Sequence, residues 1–368
     1  DSGAVHGQLG KAGAGRHILL YAPIDTHLSG TQEHDVPWVG QSQRADMVPA
    51  ASTDLSDYIV GLGASNPKSM IATLVEAMQA IVSADLELPG TLSVATAGGG
   101  MPWRPENSGG AGLSSGVAHL LSHGLRPDAA VIMKPWDDVY YEHPGMAWFK
   151  VTVHGDLGYA GIPHGVPGFR NSIAPAARLI SSVQDWLERY PERHESQQVR
   201  PEGWIGAVQA GWPDKPAFPP AATQFWVDIR LSPNQSLEAL CQEFQSLLDQ
   251  AMADDPSIIA DWTLDAAIPP GRTDPDHWIV QNARASWEAQ HGKAYPGAPK
   301  MAGQTDAAML ALHNVPTVRI GFPFLDPDRT PQAYRDGLGG MGVAYVPDLI
   351  HATQMAVRLA LTSLFDIE

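Results

Sequence analysis

Three side chains with acid–base chemistry fall beside apolar runs. Asp25 follows ILLYAP, Lys134 follows DAAVIM, and Asp306 opens DAAML. In α/β proteins chemistry is placed at the carboxyl ends of strands. A lysine desolvated there titrates low and can act as a base, while its ammonium form can stabilise a developing oxyanion. The two aspartates need raised pKa values or close partners to serve as acid or base. His27, two residues beyond Asp25, adds an imidazole to the same segment. Each has a structural reading as well. Lys134 can pair with Asp25 in a salt bridge, and Asp306 can hydrogen-bond a loop or cap a helix. A metal site at this lip would want an imidazole two residues before Asp25, on the same side of the strand. That position is Pro23.

The elements needed to hold these residues are legible around them. Residues 18–24, 90–100, 128–136 and 314–323 read as strands, mostly buried ones. Between them, residues 66–84 place Ile71, Leu74, Val75, Met78, Ile81 and Val82 on one helical stripe. Asn66 is the expected N-cap, with Pro67 at the first helical position. Residues 114–124 form a shorter helix closed by Gly124. Strands alternating with helices predict an α/β fold, a mostly parallel sheet covered by helices on both faces. From 146 the pattern changes to period-two strands such as AWFKVTVHG and FWVDIRL, with two long helices. This predicts a discontinuous catalytic-type domain, 1–145 and 267–368, interrupted by an inserted α+β domain over 146–266.

Composition narrows the function classes. The 368 residues carry a formal net charge of −17, and Lys and Arg form no basic stripe. Nucleic acid and anionic membrane are therefore not expected partners. Cys241 is the only cysteine and shares an apolar helical face with Leu237, Leu240, Phe244 and Leu248, so it reads as packing. A chain with no possible internal disulfide suits a reducing compartment, and a cytoplasmic location is expected. No Gly-x-Ser-x-Gly elbow is present; Ser114 and Ser115 in GLSSG begin a helix instead. His143 and His164 read as surface histidines near domain junctions.

Five phrases, taken in order, resemble one family: the zinc-dependent aminoacylases, acetylornithine deacetylases, succinyl-diaminopimelate desuccinylases and carboxypeptidases G. They are LLYAPIDTH, GLGASNPKSMIATLVEA, HGDLGYAGIPHGVPGFRNSI, FWVDIRLSP and AGQTDAAML with NVPTVRIGFP. The resemblance spans nearly the whole chain. It implies a metallopeptidase α/β domain with an inserted dimerisation, or lid, domain, and a two-zinc site. The ligand positions depart from that pattern. Where the family has its first His, bridging Asp, Glu pair and further carboxylate, this chain has Pro23, Asn66, Gly99 with Gly100, and Lys134. The family's C-terminal His falls near Gly340. No metal and no cofactor are therefore expected. By the same resemblance, Tyr159 stands where a neighbouring subunit contributes a His, Asn171 matches a family Asn, and Arg170 and Thr305 lie in matching segments.

The expected function is a metal-independent amidohydrolase-like enzyme acting on a small amide or N-acyl amino acid. Lys134, Asp25, Asp306 and Tyr159 are its expected catalytic residues. Asn66, His27, Arg170, Asn171 and Thr305 are expected to bind substrate. The alternative is a non-catalytic relative that binds a small molecule or serves as a partner subunit. A homodimer through the inserted domain is expected. Because family members carry helices before the first strand, apolar residues near Leu19 and Leu20 are expected to need cover from an upstream segment or a separate polypeptide.

Overall fold

Apolar content decides which strands are central. In the computed structural model, residues 3–11, 13–26, 28–39, 47–48, 52–55, 57–100, 112–162, 165–322 and 341–365 are described. They divide into two compact units: 1–141 with 272–299 and 305–368, and 142–271 with 300–304. The first unit opens with β1 (Ala4–Gly10), β2 (His17–Pro23), α1 (Gln32–Val39), β3 (Ser52–Leu55), β4 (Tyr58–Val60), α2 (Met70–Ser83), β5 (Thr91–Ala97), α3 (Ser115–Ser122) and β6 (Ala129–Met133). There follow β7 (Glu142–His143), β8 (Gly145–His154), α4 (Ile173–His194), β9 (Gly203–Ala210), β10 (Ala222–Leu231), α5 (Leu237–Asp254), β11 (Ala260–Ile268) and β12 (Gly271–Arg272). The chain returns to the first unit with α6 (Trp278–His291), α7 (Ala307–Leu312), β13 (Thr317–Ile320), β14 (Val343–Tyr345) and α8 (Val346–Phe365).

The main sheet of the first unit runs β1-β5-β2-β6-β13. β2 is parallel to both β5 and β6, and β13 is parallel to β6. Among the described strands of this sheet only β1 is antiparallel, along β5. Alternation along β2 splits its side chains between two cores. Ile18, Leu20 and Ala22 pack in a cluster with residues of α2, α6 and α8. Leu19 and Tyr21 pack in another with residues of α3 and α7. Leu19 and Leu20 are 1% and 0% exposed. The expected uncovered patch is thus corrected: the described helices bury both leucines, each worth about 1.5–3 kcal/mol. β4 also pairs with β3 and β14 in a small three-stranded sheet.

The second unit is an antiparallel sheet, β11-β8-β10-β9. Phe149, Val151 and Val153 of β8 and Phe225, Val227 and Ile229 of β10 point to one face and are buried with residues of α4 and α5. Cys241 packs at the margin of that core, as expected, and burial raises its pKa. β11 has no counterpart in the sequence reading. It adds an edge strand whose register shifts between Leu264 and Ala266.

Two local expectations are corrected. Asn66 is not a helix cap: its backbone is extended (φ −119°, ψ 109°), the Asn66–Pro67 peptide is cis, and α2 starts at Met70 after Ser69. Pro67 lies inside a turn over 64–69 instead of opening α2. His143 is not a surface residue, being 1% exposed. Gly124 closes α3 as expected, in a left-handed conformation at φ +99°.

Candidate functional site

The carboxyl ends of β2, β5 and β6 meet at one rim of the sheet. Asp25, two residues beyond β2, accepts backbone N–H groups from Gly99 (3.0 Å) and Gly100 (2.5 Å), just beyond β5. Bare backbone makes this possible, because consecutive N–H groups form a concave cradle for a carboxylate. The loop is held in turn by Gly98, whose N–H donates to the Gly3 carbonyl at 2.9 Å. Gly116 at the start of α3 lies so close that a Cβ there would stand 2.6 Å from the Ala97 Cβ.

Lys134 follows β6 directly. Its Nζ donates to Asn66 Oδ1 at 3.2 Å. Desolvation by burial lowers its pKa to about 8; the Asp306 and Asp25 charges pull upward, and the Arg319 charge pushes down. Asp306 stands at the N-terminus of α7 but makes no side-chain cap. Its Oδ2 accepts the Tyr21 hydroxyl at 2.7 Å, and the residue is 2% exposed. Burial raises the pKa of Asp306; the neighbouring Ser114 and Tyr21 hydroxyls and the Lys134 charge work against that rise, and Asp25 adds to it. Asp306 Oδ1 and Ser114 Oγ are both buried without a partner in hydrogen-bond geometry. Ser114 has left-handed backbone angles (φ 62°, ψ 28°), uncommon for a residue with a side chain. The capping reading of Asp306 is thereby corrected, while Thr305 beside it takes a local turn role, its Oγ1 accepting the Ala307 N–H at 3.3 Å.

Tyr21 and Arg319 were missed by sequence reasoning. Tyr21 looks like core in an apolar strand, and burial raises its pKa. Arg319 sits in β13, donates from Nη2 to the Pro135 carbonyl at 2.9 Å, and lies over the Trp136 and Tyr140 rings at 4.8 and 5.1 Å. Burial lowers its pKa to about 10. The one available signal was an arginine inside an otherwise apolar strand. The rim therefore gathers Asp25, Asn66, Lys134, Asp306, Tyr21 and Arg319. A buried ammonium whose pKa is lowered and a buried carboxyl group whose pKa is raised, side by side, can move a proton or stabilise charge on a bound carbonyl.

Three further expected site residues, Tyr159, Arg170 and Asn171, belong to the second unit. Tyr159 is half exposed, 5.6 Å from the Phe218 ring. The Arg170 backbone N–H donates to Asp156 Oδ2 at 2.9 Å, and its guanidinium lies 3.6 Å from the same oxygen. Asn171 Oδ1 accepts the Ile173 N–H at 2.7 Å, a local turn just before α4. Tyr159 and Arg170 both line a cavity of about 490 Å³ in the loop between β8 and α4. His27, His164 and Gly340 lie outside the described residues.

Among the described residues, one cluster brings three potential metal-ligating side chains together. Asp137, His291 and His351 have ligand atoms within 4.8 Å of one another, in the first unit. They come from three separate segments, and no spacing motif announces them.

Residues 141–256 match the M20 peptidase dimerisation domain family. Solved structures share the fold along nearly the whole chain. An M20 family metallo-carboxypeptidase from Sulfolobus solfataricus is 14% identical with a TM-score of 0.68, the alignment covering 98% of this chain and 88% of that one. Human carnosine dipeptidase 1 is 15% identical at TM-score 0.67, covering 98% and 83%. A dinuclear metal-binding M20 peptidase from Bacillus subtilis is 16% identical at TM-score 0.59, covering 99% and 86%. The chain therefore has an M20 peptidase-like α/β scaffold carrying a dimerisation-type domain. Among the described residues no helix is long and apolar enough to cross a membrane.

Proposed function

We propose that this chain is a metal-independent amidohydrolase-like enzyme on a metallopeptidase scaffold, acting on a small amide or N-acyl amino acid. The observation that carries this reading is the desolvated Lys134 ammonium, hydrogen-bonded to Asn66 with Asp306 and Asp25 in electrostatic reach. The residues that the family resemblance aligns with zinc ligands do not fit a divalent ion. Asn66 offers a neutral oxygen already facing a cation, Asp25 accepts two backbone N–H groups, and Gly99 and Gly100 offer no side chain. A fixed ammonium repels a dication strongly at low dielectric.

In this proposal Lys134 supplies the positive charge at the oxygen of the scissile carbonyl as it becomes an oxyanion. Asp306, whose pKa is raised, takes a proton from the attacking water and returns it to the leaving nitrogen. Asp25 orients the glycine loop or shares the acid–base step. The inserted domain pairs two chains, and Tyr159 donates a hydrogen bond to substrate from the second subunit. His27, Arg170, Asn171 and Thr305 complete the proposed substrate contacts. The test is turnover of a panel of N-acyl amino acids and small amides in the presence of EDTA, by wild type and Lys134→Met. EDTA-resistant turnover lost in the variant supports the reading. A second reading, a non-catalytic binder, draws on the deep burial of Asp306. It predicts no turnover, with the variant altering only ligand affinity or stability.

A further inference from the structure

The geometry points to a second site, unrelated to the rim chemistry: Asp137, His291 and His351 form a binding site for a divalent first-row transition ion, zinc above all. Asp137 lies four residues beyond β6, His291 ends α6, and His351 lies in the first half of α8. The His291 and His351 rings are edge-on at 4.9 Å between centroids.

The hydrogen bonding of His291 is the first argument. Its Nδ1 faces the Trp287 carbonyl at 2.8 Å, and its Nε2 faces Asp137 Oδ2 at 2.6 Å. Both partners only accept. A neutral imidazole has one N–H and can serve only one of them. With the proton on Nδ1, the Nε2 lone pair and the carboxylate oxygen face each other, which a shared cation resolves. A ligating histidine whose other nitrogen donates to a backbone carbonyl is the usual outer-sphere arrangement of a metal site.

His351 supplies the second argument. Its Nε2 is buried, has no hydrogen-bond partner, and stands 3.8 Å from the same Asp137 oxygen. An orphaned imidazole nitrogen aimed at a carboxylate is costly unless something completes it. Gln290 Nε2 faces His351 Nδ1 at 3.3 Å. The same Gln290 nitrogen donates to Gln354 Oε1 at 3.0 Å, so turning both amides over together keeps that pair, presents the Gln290 carbonyl to an Nδ1–H and frees Nε2 as a ligand.

The surroundings hold the three in place. Trp287 stacks on His291 at 3.9 Å with an interplanar angle of 15°, and its indole N–H donates to the Asp137 carbonyl at 2.8 Å. Two imidazoles and a carboxylate are a borderline-soft set that favours zinc over magnesium or calcium. Ligand atoms in tetrahedral zinc sites sit about 2.0–2.2 Å from the ion, so the cluster needs only small side-chain shifts to close on it. The side chains of His291, Asp137 and His351 are 17%, 15% and 28% exposed, which leaves a fourth position for water. The ion would tie the segment after Lys134 to α6 and α8, acting as a staple.

The test uses the full chain stripped with chelator and titrated with zinc, followed by calorimetry and by melting temperature. About one zinc per chain should bind and raise the melting temperature, as any ligand of the native state does. His291→Gln and His351→Gln should each abolish that binding, and Asp25→Asn should keep it. X-ray absorption of the wild-type zinc complex provides a readout independent of variant folding, with two imidazoles expected in the first shell. Absence of zinc binding, binding that survives both histidine changes, or a first shell without two imidazoles would overturn the proposal and leave a His291–Asp137 ion pair.

Discussion

A Cβ at Gly100 would stand 2.8 Å from Oδ2 of Asp306 and 2.9 Å from its Oδ1. The buried carboxyl group thus fills the space that a side chain at position 100 would need. Where the family resemblance places a glutamate, this fold has put an aspartate from another segment. Gly100→Ala should force Asp306 aside, with a loss of about 1–3 kcal/mol typical of overpacking. Urea denaturation measures it, and an unchanged midpoint would show that Asp306 has room to yield.

Removing the Tyr21 hydroxyl should also be costly. It donates to Asp306 Oδ2, and Oδ1 has no partner in hydrogen-bond geometry. Tyr21→Phe leaves that buried group with less satisfaction, at about 1–3 kcal/mol. The Asp306 pKa should move further up, which infrared spectroscopy of the carboxylic acid band can follow.

Lys134→Met should lower turnover roughly a hundred- to a thousandfold, the loss seen when a preorganised oxyanion contact is deleted. The fold should persist, since Met keeps the apolar stem. Circular dichroism and initial rates on the same preparation separate the two effects.

The pH dependence follows from the Lys134 pKa, lowered from 10.5 to about 8. Between these values the unfolded lysine binds more protons than the folded one. Stability therefore rises with pH across that window, and the rise should be missing in Lys134→Met. Activity should do the opposite if the ammonium is the working form, falling as pH passes about 8. A rate that climbs through the same range would assign Lys134 the role of base.

The proposed pairing of two chains through the inserted domain has a testable surface. β9 is an edge strand, and its Trp204 and Val208 are 66% and 57% exposed. Apolar side chains on an unpaired edge invite association. Trp204→Glu with Val208→Lys should shift a dimer toward monomer in sedimentation velocity, while a wild type already monomeric would remove Tyr159 from the proposed site.

The parallel strands were readable because burial on both faces demands continuous apolar runs, as in LLYA and AAVIM. The inserted sheet was readable because one covered face produces alternation along β8 and β10. β1 was not, because AVHGQLG is largely exposed and carries two glycines. Strand order gathers side chains that are far apart in sequence, and local pattern holds no record of that. Lys134 and Asp25 stood out by breaking apolar runs at their ends. Tyr21 matched its apolar neighbours, and Asp137, His291 and His351 meet only through the packing of α6 and α8. Asn66 misled because a Pro after an Asn signals a helix start, whereas here its extended backbone turns the amide toward Lys134.

The strand at the edge of the main sheet couples protection of β5 to the form of the glycine loop. β1 occupies the outer edge of β5, and Gly3, one residue before it, anchors Gly98 beside the glycines that hold Asp25. A chain nicked or misfolded in this stretch would bare β5 as an adhesive edge at the same moment that the loop lost its anchor. Cover for that edge and anchorage of the loop thus depend on the same few residues.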